Sequence, residues 1–270
     1  MEQENPVRHE TEVHFWGNTP EDEYYKQQGI KASRSSYTSP RGLSLFTRSW
    51  LPVSTDPPLG VMCMVHGYGN DISWTFQSTA IFLAQMGFAC FGLDIEGHAS
   101  PKGFDGAVLV APMCKISDNI KPRWPIPDIL LFVAKFMPTL AIVPAASILH
   151  KSIKVESKVP IAEMNPVRYR GKPRLGTVVE LLRVTDCLSQ NLRSVTIPFI
   201  VLHGSMDVVT DPKVSESLYE EASSEDKTIK IYDGMLHSLL FGETDENIEI
   251  VRHDILSWLN GRCRHENVEN

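Results

Sequence analysis

Apolar positions along this chain follow two rhythms, short runs of period two or continuous character and longer runs of helical period, and the two alternate. Residues 42–52 (GLSLFTRSWLP) alternate apolar with polar, which predicts a half-buried antiparallel strand. Residues 61–65 (VMCMV) are apolar throughout, which predicts a strand buried on both faces. A helix is predicted next, capped by Ser73, with Phe76, Ala80 and Leu83 facing inward and Gly87 ending it. Residues 88–94 (FACFGLD) and 107–111 read as the following strands, the second stopped by Pro112. Farther on, residues 199–202 predict a strand. Asp211 and Pro212 open a helix in cap-then-proline order, with Val214, Leu218 and Ala222 as its stripe. Residues 228–232 (TIKIY) predict a strand with one wet face. The last helix turns Ile248, Val251, Ile255 and Trp258 to one side and ends at Gly261. Strands alternating with helices build a mostly parallel sheet, and sites in such sheets gather at the carboxyl ends of the strands.

The rhythm divides the chain. Residues 1–35 show little of it and are expected to be partly disordered, with Phe15-Trp16-Gly17 as an anchor. Residues 36–112 and 191–262 carry the alternation and form the core. Residues 113–190 are proline-rich, partly apolar and partly basic, and read as a cap inserted over a site; residues 263–270 are a polar tail. Within the cap, residues 126–149 are mostly apolar, but Asp128, Lys135, Pro138 and Pro144 leave no clean membrane span. The favoured reading there is a buried or half-buried helix pair. The alternative is a lipid-facing surface helix, which would give the cap a peripheral membrane contact. Arg168, Arg170, Lys172 and Arg174 crowd around Tyr169; a solvated loop is favoured over an anion contact.

Composition narrows the partners. With 42% hydrophobic and 22% charged residues the chain is ordinary globular protein, and its net charge of −7 argues against nucleic acid. The opening residues are polar and acidic where a signal peptide would be apolar, so a cytoplasmic location is expected. Five scattered cysteines make no disulfide framework. No C-x-x-C or H-E-x-x-H spacing calls for a metal, Cys263 and His265 fall in the polar tail, and no cofactor is expected.

Three strand ends carry reactive side chains. His66-Gly67-Tyr68-Gly69 ends the 61–65 run, and its glycines let backbone N–H groups turn toward a ligand, so Gly67 and Tyr68 form a candidate oxyanion loop. Gly67-x-Gly69 also begins a dinucleotide fingerprint, but the third glycine position holds Ile72, and Asp94 lies farther on than the ribose-binding acid of that motif. Asp207 follows the 199–202 strand, where a carboxylate can orient an imidazole; Asp211 already serves as the helix cap, which frees Asp207 for another role. His237 follows the 228–232 strand, 30 residues after Asp207. One strand–helix unit has that length, so acid and base fall side by side, in the chain order of α/β-hydrolases.

The segments FWGNTPEDEYY, VHGYGND, FGLDIEGH, GAVLVAPMCKI, KPRLGTVVELLR, LHGSMDVVTDP and KIYDGMLHSLLFGE resemble the plant monoacylglycerol lipase-like and caffeoylshikimate esterase-like branch of the α/β-hydrolases. The resemblance runs from Phe15 to the final helix. It implies an α/β-hydrolase fold, a mostly parallel doubly wound sheet with a cap insertion. It implies Asp207 as triad acid, His237 as triad base and the Tyr68 N–H as an oxyanion donor. It further implies hydrolysis of a small-molecule ester or lipid, a monoacylglycerol, a lysophospholipid or a phenolic ester, through an acyl-serine and without a cofactor.

One part of the pattern is absent. None of the 17 glycines stands four residues from another, so the chain has no G-x-S-x-G turn to carry a nucleophilic serine. After Asp94-Ile95-Glu96-Gly97-His98 the resemblance resumes only at residue 106. Two strand–helix units, about 60 residues, are expected to be missing there, including the central strand and its flanking helices. Intact sequence on both sides reads as a skipped exon or a gene-model error, not as gradual drift. The 11 residues 95–105 can span at most about 36–40 Å, and a parallel crossover normally needs a dozen or more residues. Ser44 lies inside a strand, Ser100 in the joining loop before a proline, and Ser205 on the acid's own turn, so none replaces the nucleophile. The chain therefore reads as an ester hydrolase that is inactive for want of its serine; the alternative is a non-catalytic variant that holds a lipid or acyl ligand.

Overall fold

A computed structural model describes residues 13–39, 41–54, 57–67, 70–93, 104–115, 125–141 and 149–263. The chain forms two compact units: Met1–His98 with Ile161–Arg168, and Ala99–Pro160 with Tyr169–Asn270.

The first unit opens with helix α1 (Glu21–Gln27) and continues through β1 (Ile30–Thr38), β2 (Ser44–Pro52), β3 (Gly60–Val65), α2 (Gln77–Gln85) and β4 (Phe88–Leu93). Its sheet has the order β1-β2-β4-β3. β1 and β2 make an antiparallel hairpin, β4 runs antiparallel to β2, and β3 runs parallel to β4 with Cys63 opposite Phe91. Trp50, Ile72, Ala80 and Phe88 are its fully buried centre. Gly92 is tied to that packing, because a Cβ there would stand only 3.1 Å from Trp50 Cζ3.

Three expectations change in this unit. Residues 21–35, expected to lack order, form α1 and most of β1. Their missing signal has a physical cause: α1 is held by polar contacts, and by Trp16 against Tyr24 and Tyr25, which leave no apolar stripe. The buried Arg48 of β2 donates from Nη1 to Glu21 Oε1 (2.7 Å), Tyr25 Oη (2.7 Å) and Gln77 Oε1 (2.9 Å). Tyr25 in turn donates to Gln77 Oε1 at 2.5 Å. Arg34 adds a second ion pair to Glu21. Burial pushes the Glu21 carboxyl up, but the two guanidinium groups outweigh it and hold it below its ordinary value. Ser73 does not cap α2, which starts at Gln77 without a side-chain cap; its N–H donates to Asp71 Oδ1 at 2.6 Å instead. Finally, β3 is not buried on both faces. Val61 is 70% exposed and Val65 57%, with Cys63 exposed between them. An apolar strand is covered only where neighbours exist, and among the described residues β3 is the last strand of its sheet.

The second unit comprises β5 (Ala107–Val110), α3 (Ile126–Phe136), α4 (Leu149–Ser152), α6 (Leu175–Gln190), β6 (Phe199–Gly204), α7 (Pro212–Glu221), β7 (Lys227–Tyr232) and α8 (Asp245–Cys263), while the residues of α5 (Val159–Glu163) are divided between the two units at Ile161. Its sheet has the order β5-β6-β7 and is parallel throughout. β6 is central and buried at every residue. Phe199 and Val201 pack with Leu192, Leu218 and Ala222. Asp211 caps α7 as predicted, accepting from the Lys213 N–H at 3.0 Å. Ile248, Val251, Ile255 and Trp258 are the buried side of α8, which runs two residues past Gly261.

The cap reading needs one correction. α3 is not buried: Phe132 is 63% exposed and Phe136 73%, with Ile126 and Ile129 exposed on the same helical face. Residues 142–148 lie outside the described residues. Among the described residues no helix is long and apolar enough to cross a membrane. Arg170, Lys172 and Arg174 are exposed, and the Tyr169 hydroxyl donates to the Lys172 carbonyl at 2.9 Å.

The Arg48 network yields a stability prediction. Replacing Arg48 with Met strands the buried side of a charged pair and should cost about 3–5 kcal/mol. Tyr25→Phe removes one shared hydroxyl and should cost about 1 kcal/mol. Urea unfolding of the two variants measures both, and an Arg48→Met chain as stable as the parent would show that α1 is held by something else.

Candidate active site

β6 ends at Gly204 and β7 at Tyr232, neighbours in register (Gly204 opposite Tyr232), so the loops that follow them emerge together. The first loop carries Asp207 and the second His237. Close approach is enforced by glycine: a Cβ on Gly204 would stand inside the carbonyl oxygens of Met235 and Leu236. The Met206 N–H donates to Met235 O at 3.0 Å, and the Gly234 N–H donates to Ser205 Oγ at 2.8 Å. Ser205 Oγ in turn donates to Asp233 Oδ1 at 3.2 Å, so this serine ties the two loops together.

His237 Nδ1 lies 2.7 Å from Asp207 Oδ2. The Asp207 side chain is fully shielded from solvent, whereas that of His237 is 31% exposed. Thr210 Oγ1 donates to the same Oδ2 at 2.8 Å, and His203 Nε2 approaches it at 3.0 Å. The other oxygen, Oδ1, accepts the backbone N–H groups of Val209 (2.7 Å) and Thr210 (3.0 Å). Burial pushes the Asp207 carboxyl up, but the hydrogen bonds from His203 and His237, the electrostatic attraction of His237 and the Thr210 N–H outweigh it and hold it far below the usual carboxylate range. An ionised carboxylate on Nδ1 fixes the imidazole with its proton there and leaves Nε2, on the far side of the ring, to accept a proton from a substrate or nucleophile.

The histidine loop is braced from behind. Glu243, fully buried, accepts the Leu236 N–H on Oε1 at 2.7 Å. Lys154 Nζ donates to Gly234 O at 2.7 Å, and the Lys154 and Val155 N–H groups both donate to Gly242 O, at 2.8 and 2.9 Å. Ser152 O accepts the Ser238 N–H at 2.9 Å. The segment after α4 therefore holds the loop that aims His237.

The structure thus brings Asp207 and His237 together. Gly67 belongs to the other unit, in the turn after β3, where its carbonyl accepts the Asn70 N–H at 3.1 Å. Tyr68, Ser100 and the join at residues 94–103 lie outside the described residues. Ser44 opens β2. Sequence reading missed His203, Thr210 and Glu243, which contact the pair or its loop. Thr210 carried a weak signal, a hydroxyl three residues past a strand-end aspartate, where a side chain can return to the carboxylate. His203 follows an apolar run and Glu243 stands in a polar one, and neither position carried a signal of its contact.

Comparison with known proteins adds the following. A family model described as serine aminopeptidase, S33, matches residues 98–245. The chain is 35% identical to a caffeoylshikimate esterase of Arabidopsis thaliana over 306 aligned positions, covering 93% of this chain and 92% of the relative. It is 30% identical to a human monoglyceride lipase, covering 82% and 88% of the two chains. Among solved structures, a soluble variant of the Saccharomyces cerevisiae monoglyceride lipase in complex with a substrate analog superposes with a TM-score of 0.68 at 19% identity, covering 86% of this chain and 96% of that one.

The depressed Asp207 pKa sets a pH dependence. Its contribution to stability is complete above the unfolded carboxylate value, about 3.9, and is lost as pH falls from there toward the folded value. Asp207→Asn removes that contribution. Urea unfolding at pH 7 and pH 3 should show the parent losing more stability on acidification than the variant; parallel losses would contradict the ionised, multiply bonded carboxylate.

Proposed function

The chain belongs to the serine aminopeptidase S33 family and has the α/β-hydrolase fold, and from that premise we propose that it is an ester hydrolase of the family whose proton relay persists without its nucleophile. Asp207 is the triad acid, His237 the base, and Gly67 and Tyr68 the oxyanion residues. The observation that carries this reading is the 2.7 Å contact between His237 Nδ1 and Asp207 Oδ2, in a chain with no G-x-S-x-G turn. The pair has the geometry to activate an alcohol. Ser205, the serine nearest in sequence to the acid, is engaged with Asp233 and Gly234. This chain accordingly turns over little or no ester.

Two observations support loss of a central element between β4 and β5. The strands lie in separate sheets, with β3 ending one and β5 ending the other. The alignment with the Arabidopsis relative spans 306 positions where this chain has 270 residues, so it opens gaps in this chain. The substrate class of the full machinery is a monoacylglycerol or lysophospholipid, with a caffeoylshikimate-type phenolic ester as the alternative; the human and Arabidopsis relatives are named for one of each pair.

A second reading rests on α3. Its exposed Ile129, Phe132 and Phe136 form an apolar stripe on the cap, and a chain without turnover can still use that stripe to hold lipid or rest on a membrane surface.

Two experiments separate these readings. A fluorophosphonate probe should label the purified chain no more than it labels Asp207→Asn; stoichiometric labelling, abolished by a single Ser→Ala change, would overturn the inactivity. Co-sedimentation with phosphatidylcholine vesicles should weaken at least tenfold when Phe132 and Phe136 are both changed to Asp, since each buried phenyl ring contributes about 1.5–3 kcal/mol. Equal sedimentation of the two chains would remove the membrane role of α3.

A further inference from the structure

Asp207 has two histidine neighbours, and the second has no place in an acid–base relay. We propose that His203 is a positioning residue: its Nε2–H pins the Asp207 carboxylate so that Oδ2, and not the Thr210 hydroxyl, is the hydrogen-bond partner of His237. The proposal rests on reading Asp207 and His237 as the relay pair.

His203 lies on β6, the central strand of its sheet, and is completely buried. The residues before it on that strand are Phe199, Ile200, Val201 and Leu202. An imidazole among them is costly unless both nitrogens are bonded, and both are. Nδ1 lies 2.7 Å from Ser215 Oγ on α7. Nε2 lies 3.0 Å from Asp207 Oδ2 and 3.1 Å from the Thr210 carbonyl oxygen. Carbonyl and carboxylate oxygens only accept, so Nε2 carries a proton, and the Ser215 hydroxyl is free to donate to Nδ1. The side chain therefore has one orientation and one tautomer, set by Ser215 and the Thr210 carbonyl as well as by Asp207.

That orientation matters because His237 Nδ1 faces two oxygens. Asp207 Oδ2 is 2.7 Å away and Thr210 Oγ1 3.1 Å. Thr210 Oγ1 also has an alternative acceptor, the Ala111 carbonyl at 3.3 Å. Ala111 holds a left-handed backbone at φ 45°, which a side-chain-bearing residue adopts only under constraint. Without the His203 donor, Oδ2 keeps only the Thr210 hydroxyl and His237, the carboxylate can rotate about its backbone-bonded Oδ1, and the Thr210 hydroxyl becomes a competing partner for Nδ1. With His203 in place, Oδ2 is held on the side facing His237.

The test needs no turnover. In this chain the His237 Nδ1–H should give a proton resonance downfield of the amide region, identified by its loss in His237→Gln and abolished in Asp207→Asn. Its survival in Asp207→Asn overturns the relay pairing itself. His203→Gln places an amide N–H near the Nε2 position and should retain the resonance. His203→Asn reaches only the Nδ1 position, keeps a partner for Ser215, and should lose the resonance or move it upfield. A wild-type resonance in His203→Asn, or equal loss in both variants, overturns the positioning role. If substitution at residue 203 prevents folding, Ser215→Ala carries the test: it frees the His203 ring to turn and should shift the same resonance upfield, and an unchanged resonance there overturns the proposal.

Discussion

A buried carboxylate with five hydrogen-bond donors around it is the constraint from which the rest of the second unit follows. Asp207 takes two backbone N–H groups on one oxygen, and a hydroxyl and two imidazoles on the other. A charge so shielded is tolerated only when nearly every lone pair is occupied. The turn from residue 207 to residue 210 must therefore fold back on its own first residue, β6 must end where His203 reaches that turn, and β7 must deliver His237 to the same oxygen. Gly204 has no side chain because the histidine loop passes where one would stand. Glu243, a second buried carboxylate, repeats the principle one layer back by taking the Leu236 N–H.

The same reasoning explains how residues 152–155 take part. Lys154, Val155 and Ser152 are bonded through backbone and side chain to residues 234, 238 and 242. The loop buries Met235 and Leu239, and the polar ties from the chain packed behind it add to the hold on its partly exposed imidazole. Gly242 permits this, since a Cβ there would stand 3.0 Å from Ile153 Cα. Placement of His237 is thus shared between the parallel sheet and residues 152–155, which add no strand to it.

Strand edges raise the opposite problem. β3 is wholly apolar yet terminal, with Val61, Cys63 and Val65 in the open. Natural sheets guard such edges with charge, proline or a covering element, and VMCMV has neither charge nor proline. Its composition suits the middle of a sheet. The chain carries a central-strand sequence in an edge-strand position, and this mismatch between local character and tertiary place fits the reading of a family member that has lost an internal element.

Legibility followed the physics of each element. The strand–helix rhythm marked every strand from β2 to β7 and the two core helices α7 and α8, because burial of one face writes a period into the sequence. α1 left no such trace, since Glu21 and Tyr25 are bonded to Arg48 and Gln77, far apart in the chain, and Tyr24 and Tyr25 pack on Trp16, and β1 is held by its backbone ladder to β2. The apolar run of α3 was legible, but its solvent exposure was not, because composition records how apolar a helix is and not whether anything lies against it. Residue type and a spacing of one strand–helix unit were enough to expect Asp207 beside His237, and the two meet at 2.7 Å; the absence of a G-x-S-x-G turn was likewise legible, being a property of glycine positions. The tertiary structure alone decided the rest: that both lean on one oxygen, that His203 shares it, and that Glu243 and Lys154 steady the loop. Those are contacts among strands, loops and insertion brought together by folding, and local sequence holds no record of which buried donor will meet which buried acceptor.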